Sequence, residues 1–389
     1  MRTYRLSELI EIKNGKDHKS LCDGPYPVFG SGGVMRYVSE HLYDKPSVLL
    51  PRKGTLDNIQ YCDTPFWTVD TLYYTEVDTN LVNPYYLYRY LRLLDLSKLD
   101  TGTGVPSMTF DSYYGIKVSL PSIEEQNKIA QILQSLDKKI DINRQINDNL
   151  EAMAKQLYDY WFVQFDFPNE EGKPYKSSGG KMVWNEKLKR EIPEGWYADN
   201  ICRIADILSG GTPSKQVDSY WQNGNIPFFG PTDYTGAIFQ LTTAEHITNE
   251  GLKHCASSLF EEGVVIITAR GSIGKIVVVG TPMAMNQSCY AFRPRNDEFE
   301  YLFFLTAQLI EHLKAKGSGS VFKSIITADI ENSILSIADE TTITLFTSTI
   351  RPLMNAIKEN TKQIENLTKQ RDNLLPLLMN GQVSPLNSD

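Results

Sequence analysis

The sequence predicts an α+β fold in which two pseudo-repeated globular α/β-type domains are joined by two long helices. Two observations predict it. Segments of the first half recur in the second half at nearly constant spacing, and each half ends in a long helix with a heptad pattern of apolar residues. The two helices are expected to pair as an antiparallel intramolecular coiled coil. A chain of 389 residues also exceeds the usual size of one domain.

The repeat is clearest where SVLLPRKGTLDNI (47–59) aligns with VVIITARGSIGKI (264–276), a shift of 217 residues. Upstream, the shift is 200 for YPVFGSGG against IPFFGPTD, and 195 for LSELIEIKNG against ICRIADILSG. Each copy alternates strands rich in Val, Ile and Tyr with Gly- and Pro-containing turns, followed by a helix, a loop and a last strand. The changing shift predicts one duplicated scaffold with divergent loops.

These patterns divide the chain into six parts. The expected parts are a first domain (1–120), a first long helix (121–163), a connector (164–196), a second domain (197–338), a second long helix (339–380) and a C-terminal tail (381–389).

The composition favours a cytoplasmic protein. Its longest apolar runs have the length of strands and not of membrane spans, and its N-terminus does not resemble a signal peptide. Five scattered cysteines argue for reduced thiols and against a disulfide framework or a zinc site. A net charge of −8 weakens the case for DNA binding without excluding it, because local basic loops can contact phosphates.

The two long helices carry matching heptads. The first starts at a capping box formed by Ser122 and Glu125. Asn143 and Asn360 occupy the same heptad position, where asparagine reduces stability but specifies register. In an antiparallel pair, both asparagines fall at the midpoint and are expected to meet. The alternative is that each helix packs only on its own domain.

Several segments resemble the specificity (S) subunit of type I restriction–modification systems. They are YPVFGSGG, SLPSIEEQNKIAQILQSLDKKIDINRQI (119–146), LYDYWFVQFDFP (157–168) and GKPYKSSGGKMVWNEKLKREIPEGW (172–196). The second helix departs from the pattern, because IADETTITLFTST stands where the first has IEEQNKIA, and its start is therefore open.

The resemblance implies a non-catalytic DNA-recognition subunit. Each domain would be a target-recognition domain for one half of a bipartite site in double-stranded DNA, with the coiled coil setting the spacing. The partners implied are two adenine-methyltransferase (M) subunits and restriction (R) subunits. No cofactor is expected in this chain: AdoMet would belong to the M subunit, and ATP and Mg to the R subunit. An orphan or silent-cassette copy that acts only as a protein-interaction scaffold is the alternative.

No catalytic or metal-binding pattern is evident. NPYY (83–86) is similar to the Asn-Pro-Pro-aromatic motif of adenine methyltransferases, but Asn83 is better interpreted as a helix cap with Pro84 at the first helical position. The five histidines show neither metal-ligand spacing nor a nucleophile–base pattern.

DNA readout requires donors at base edges and cations at phosphates. PRKGTLDN (51–58) and ARGSIGK (269–275) place Arg or Lys beside Gly after a buried strand, although each could be a turn with solvated charges. Four further polar segments lie near residues 101–107, 210–215, 286–288 and 314–323, and the segment 210–215 is the weakest of them. The candidate DNA-contacting residues are Arg52, Lys53, Thr55, Asn58, Thr103, Ser107, Arg270, Ser272, Lys275, Asn286, Gln287, Lys316, Ser318 and Lys323.

Overall fold

The computed structural model describes residues 1–99, 106–316 and 324–385. It divides into two compact units. The first unit comprises Met1–Ile140 with Asn366–Asp389, and the second comprises Asp141–Glu365. Each unit therefore contains one globular domain and a part of each long helix. No helix in the described ranges is long and apolar enough to cross a membrane.

The first unit is built mainly on two small sheets. Its elements are β1 (Arg2–Arg5), β2 (Ile10–Lys13), β3 (Tyr26–Gly30), β4 (Gly33–Val38), β5 (Ser47–Pro51), β6 (Gln60–Cys62), β7 (Trp67–Thr68), β8 (Leu72–Val77), α1 (Pro84–Leu91), α2 (Phe110–Tyr114), β9 (Lys117–Leu120) and the long helix α3 (Ile123–Tyr158). The sheet orders are β2-β8-β5-β6 and β4-β3-β7, and β1 pairs with β9. Every residue of β5 is buried, as expected for an aliphatic strand between two neighbours.

The second unit repeats this plan with extra elements. They are β10 (Met182–Asn185), β11 (Arg190–Pro193), β12 (Tyr197–Asp199), β13 (Ala205–Ser209), β14 (Ile226–Phe229), β15 (Phe239–Gln240), β16 (His246–Ile247), α4 (Asn249–Lys253), β17 (Val265–Thr268), β18 (Ile276–Val279), β19 (Ala284–Met285), β20 (Cys289–Pro294), α5 (Phe299–Lys316), α6 (Thr327–Glu331), β21 (Leu335–Ile337) and α7 (Glu340–Met379). The sheet orders are β13-β20-β17-β18-β15 and β16-β14-β19.

Strand register confirms the duplication. Several strand pairs recur in both units, in the same directions, with partners displaced by the shifts of 195, 200 and 217 read from the sequence. The corresponding pairs are Ile12–Thr75 with Ile207–Phe292, Phe29–Thr68 with Phe229–Met285, and Leu50–Tyr73 with Ile267–Tyr290. One scaffold therefore underlies both domains, and insertions lie in the loops.

The helix caps agree with the local sequence. The Asn83 side chain accepts a hydrogen bond from the Tyr86 amide at 3.0 Å, and Pro84 starts α1, so NPYY is a helix start as expected. Ser122 accepts from the Glu125 amide at 3.3 Å. Asp339 caps the N-terminus of α7, because its carboxylate accepts a hydrogen bond from the Thr342 amide at 3.0 Å. This cap defines where the second long helix starts.

The register expected for the long helices is wrong by about one helical turn. In the second unit α3 and α7 pack antiparallel, but Asn360 donates to the side chain of Asn147 at 3.0 Å, and Asn143 donates to Gln363 at 3.1 Å. The buried asparagine of α3 is Asn147, whose side chain also donates to the Thr361 hydroxyl at 3.3 Å.

Burial explains the correction. The most buried heptad of α3 runs through Leu133, Ile140, Asn147 and Ala154, not through Asn143. Asn147 and Ala154 contribute little to a hydrophobic pattern in the sequence. Leu136, Leu150 and Leu157, in the heptad that contains Asn143, contribute strongly to it. A polar layer still exists between the helices, but a different asparagine forms its buried part.

Candidate nucleic-acid interface

Four loops of the first unit meet beside the central strands. We name residues 15–19, 30–33, 52–58 and 69–71 the first loop cluster. Backbone hydrogen bonds join them: Lys16 donates to the Thr68 carbonyl, and Arg52 donates to the Thr71 carbonyl at 2.9 Å. A groove of about 700 Å³ runs between three of these loops and β4. The cluster is therefore a connected surface and not a set of separate turns.

Side chains brace the first loop cluster. Asn58 donates to the Ser31 carbonyl at 2.6 Å, and Gln60 donates to the Gly30 carbonyl at 2.9 Å. The Arg52 guanidinium donates to the Asp70 carbonyl at 3.3 Å and lies 5.9 Å from the ring centroid of Tyr73. Burial raises the pKa of Tyr73, and the charge of Arg52 acts in the opposite direction. The Asn58 amide therefore stabilises the loop and is not free to contact a DNA base.

Cations on the first loop cluster are available to an anionic partner. Lys16, Lys19 and Lys53 are exposed. None of the three forms an ion pair with another residue in the described ranges. Unpaired local cations of this kind can attract phosphates even in a chain of net charge −8. Thr55 is exposed on the same loop.

The second unit has an equivalent set of loops. We name residues 210–215, 230–233, 269–275 and 286–288 the second loop cluster. Ala269 and Arg270 donate their amides to the Ser288 carbonyl, as Arg52 and Lys53 do to Thr71. Each donor and each acceptor of the second cluster lies 217 residues after its counterpart in the first cluster. The two clusters therefore occupy the same place on the scaffold.

Glycines with positive φ shape the central loop of both clusters. Gly54 has φ of +93° and Gly271, its equivalent, has φ of +74°. Gly274 adds a third such position with φ of +78°. Residues other than glycine rarely adopt this conformation, so the turn that carries Lys53 in one copy and Arg270 in the other depends on it.

The candidate side chains of the second loop cluster differ in whether they already contact another residue of the chain. Arg270 and Ser272 are exposed, whereas the Lys275 ammonium lies 5.1 Å from the ring centroid of Tyr234. Asn286 accepts a hydrogen bond from the Ser288 amide at 2.9 Å, and Gln287 accepts one from a hydroxyl of the preceding loop, that of Thr212. Asn286 therefore has its carboxamide oxygen engaged and its NH₂ group oriented by that bond.

The remaining candidates are less informative. Ser107 lies beside Lys53 in a β-bridge, and Lys316 is the last residue of α5. Thr103, Ser318 and Lys323 lie outside the described residues. Among the residues that are described, no group of three His, Cys, Asp or Glu side chains could hold a metal ion.

Sequence reasoning missed several residues of the clusters. Lys16 and Lys19 follow Gly15 at the end of the aligned segment LSELIEIKNG, whereas Thr212 belongs to the polar segment 210–215 that the sequence already suggests as a weaker candidate. The end of that alignment was a usable signal, because duplicated scaffolds diverge at functional loops. Met35 belongs to the groove as well, and its position depends on a β-bulge that no sequence pattern announces.

The comparisons with known proteins agree with this architecture. The family described as "Type I restriction modification DNA specificity domain" matches residues 1–152 and 193–367. The specificity subunit of the type I restriction enzyme MjaIX from Methanocaldococcus jannaschii is 26% identical over 361 residues, which cover 90% of this chain and 80% of the relative. The HindI specificity subunit from Haemophilus influenzae is 24% identical and covers 79% of each chain.

A solved structure shares the fold. The crystal structure of the type I restriction–modification S subunit from M. genitalium has a TM-score of 0.63 and 16% sequence identity, covering 97% of this chain and 95% of that one. Specificity subunits are the recognition components of these systems and are not catalytic. With both copies of the repeat matched by the family, this chain belongs to the type I restriction–modification DNA specificity domain family.

Proposed function

We propose that this chain directs a type I restriction–modification complex to DNA by reading a bipartite site, one half with each domain. The observation that carries the proposal is the pair of loop clusters. They follow strand pairs of the same register, β5 with β8 and β17 with β20. The equivalent positions nevertheless carry different side chains, Lys53 and Thr55 in one and Arg270 and Ser272 in the other. Equivalent scaffolds with different loops suit two readers of different sequences.

The long helices supply the second part of the proposal. A continuous α3 of 36 residues and α7 of 40 residues can set a fixed distance between two readers. The polar layer of Asn147, Asn360 and Thr361 supports one register of these helices over others. We propose that this coiled coil determines the spacing between half-sites and docks the methyltransferase subunits.

The proposal includes the composition of the complex. Two M subunits would bind this chain, and R subunits would complete the nuclease. The chain itself would hold no cofactor; AdoMet would bind to the M subunit, and ATP and Mg to the R subunit. DNA methylation and cleavage would then take place in the cytoplasm, with this chain choosing the site.

Exchange of the first recognition region tests the assignment of readers. Residues 14–116 are replaced by the equivalent segment of another family member, which keeps β1 and α3. In cells that also express the M subunit, we expect one half of the methylated motif to change and the other half to stay, because each half depends on one loop cluster. Genome-wide mapping of methylated adenines gives the readout.

The matched control exchanges residues 210–334 of the second domain. It is expected to alter the other half of the motif. If either exchange changed both halves, or if neither changed any, the assignment of one domain to each half-site would be wrong.

A further inference from the structure

Two equivalent glycines mark one position on both loop clusters. Gly30 ends β3, and Gly230, 200 residues later, follows β14. A side chain from another part of the surface covers each: a Cβ added at Gly30 would lie 2.7 Å from Met35 Sδ, and one added at Gly230 would lie 2.8 Å from Asn286 Nδ2. The surface over this glycine is therefore a thioether in the first unit and a carboxamide in the second.

Met35 owes its position to a β-bulge. Val28 pairs with Arg36 and Phe29 pairs with Val34, which leaves Met35 without a cross-strand partner. Bulges change the direction of a side chain and are frequent beside functional sites. Met35 is 60% exposed although it is apolar, and its neighbours Val34 and Tyr37 are exposed as well. An apolar surface of this kind is typical of a binding site.

The surroundings of Met35 favour DNA as the partner. Met35 lines the 700 Å³ groove together with Lys19, Ser31 and Asp70. The exposed cations Lys16, Lys19 and Lys53 belong to the same loop cluster and suit phosphates on either side of a base. Hydrogen bonds to the carbonyls of Gly30, Ser31 and Asp70 hold the groove in one shape.

The chemistry of the thioether selects the base. In the major groove the one apolar group on a base pair is the C5-methyl of thymine, which proteins read by apolar contact. A thioether is polarizable and only a weak hydrogen-bond acceptor, so it matches a methyl group better than an amide or a carbonyl. Asn286, which covers the equivalent glycine Gly230 but is the counterpart of Val69 in the repeat, offers an NH₂ donor instead.

We propose that Met35 reads a thymine in the first half-site by packing its thioether against the C5-methyl group. The inference rests on the proposed function and deepens it, since it names a specificity-determining residue and the group that this residue recognises. In the second domain the surface over Gly230 is covered by Asn286, which recognises a different feature of its half-site.

Uracil substitution tests the inference. The full chain is assembled with its M subunits, the methylated motif is mapped, and the half that changes on exchange of residues 14–116 is taken as the first half-site. Each thymine of that half is then replaced singly by deoxyuridine, which removes only the methyl group. We expect one replacement to weaken binding by the wild-type complex about fourfold, the factor for burial of one methyl group.

The variants give a matched comparison. Met35→Ala is expected to bind the thymine duplex about fourfold more weakly and to lose the distinction between thymine and uracil. Leu93→Ala removes another exposed apolar side chain of the first unit, outside the loop cluster, and is expected to keep the wild-type distinction.

Three results would overturn the inference: equal wild-type affinity for every uracil duplex, a distinction that persists in Met35→Ala, or a first half-site without thymine on either strand. In each case a bipartite motif in the methylation map would leave the proposed function standing. A map without a bipartite motif would count against the proposed function itself.

Discussion

Replacing Arg351 with alanine is expected to lower the free energy of unfolding of the second unit by about 2–3 kcal/mol, between the values for exposed and for fully buried ion pairs. Arg351 of α7 binds both carboxylate oxygens of Glu300 on α5, with its Nε 2.7 Å from Oε1 and its Nη2 3.3 Å from Oε2. The Glu300 side chain is fully buried. The Arg351 side chain is 37% exposed, so its removal admits water on one side, but it still leaves the buried carboxylate without its cation. Leaving one charge unpaired is the costly way to break an ion pair.

Two controls separate this effect from a general loss of charge. Arg295→Ala removes an ion pair of the same unit, with Asp206 at 3.2 Å, in which both side chains are more than half exposed. It is expected to change stability by less than about 1 kcal/mol. Adding Glu300→Leu to Arg351→Ala is expected to recover most of the loss. Urea-induced unfolding measures all three, and a small effect of Arg351→Ala would contradict the burial argument.

The second large effect is expected at Gly15. An alanine Cβ there would lie 2.1 Å from the carbonyl oxygen of Val69 and 2.7 Å from that of Thr68. Both neighbours are backbone atoms, so the strand end and the loop at 69–71 must move. We expect a loss of about 3 kcal/mol in the free energy of unfolding of the first unit. The equivalent Gly210 is enclosed in the same way, with the Asn286 carbonyl oxygen 2.1 Å from its added Cβ.

Fluorescence provides a direct measurement of this effect. Trp67 is the only tryptophan of the first unit, and its indole donates to the Lys16 carbonyl at 2.9 Å, next to Gly15. Gly32→Ala is the matched control, because an added Cβ would meet nothing within 4 Å. It is expected to keep wild-type stability. Equal unfolding midpoints for Gly15→Ala and Gly32→Ala would show that the loop at 69–71 yields without strain.

The duplicated scaffold could be predicted from the sequence because its signals are local and occur twice. Buried aliphatic strands and helix caps at Asn83 and Ser122 follow from short-range chemistry. The shifts between the copies placed equivalent residues in register, whereas which strands pair is known only from the structure. The loop after β5 was proposed as a DNA-contacting loop because Arg or Lys next to Gly recurs there, and that role stays a prediction.

The rest depends on tertiary packing that one sequence does not display. Asn147 and not Asn143 is buried between the helices, because packing selects the heptad through Leu133 and Ile140. The engagement of Asn58 with the Ser31 carbonyl requires two loops to meet. Met35 enters the groove only through the bulge between β3 and β4. None of these contacts has a signature in residue type or spacing.

The central claim is that the two loop clusters read two parts of one DNA site at a fixed distance. A genome-wide map of methylated adenines in cells that express this chain with its M subunit tests it most directly. The account predicts a single motif with two specific halves separated by a constant number of unspecified base pairs. A continuous motif, or two halves at variable spacing, would contradict it.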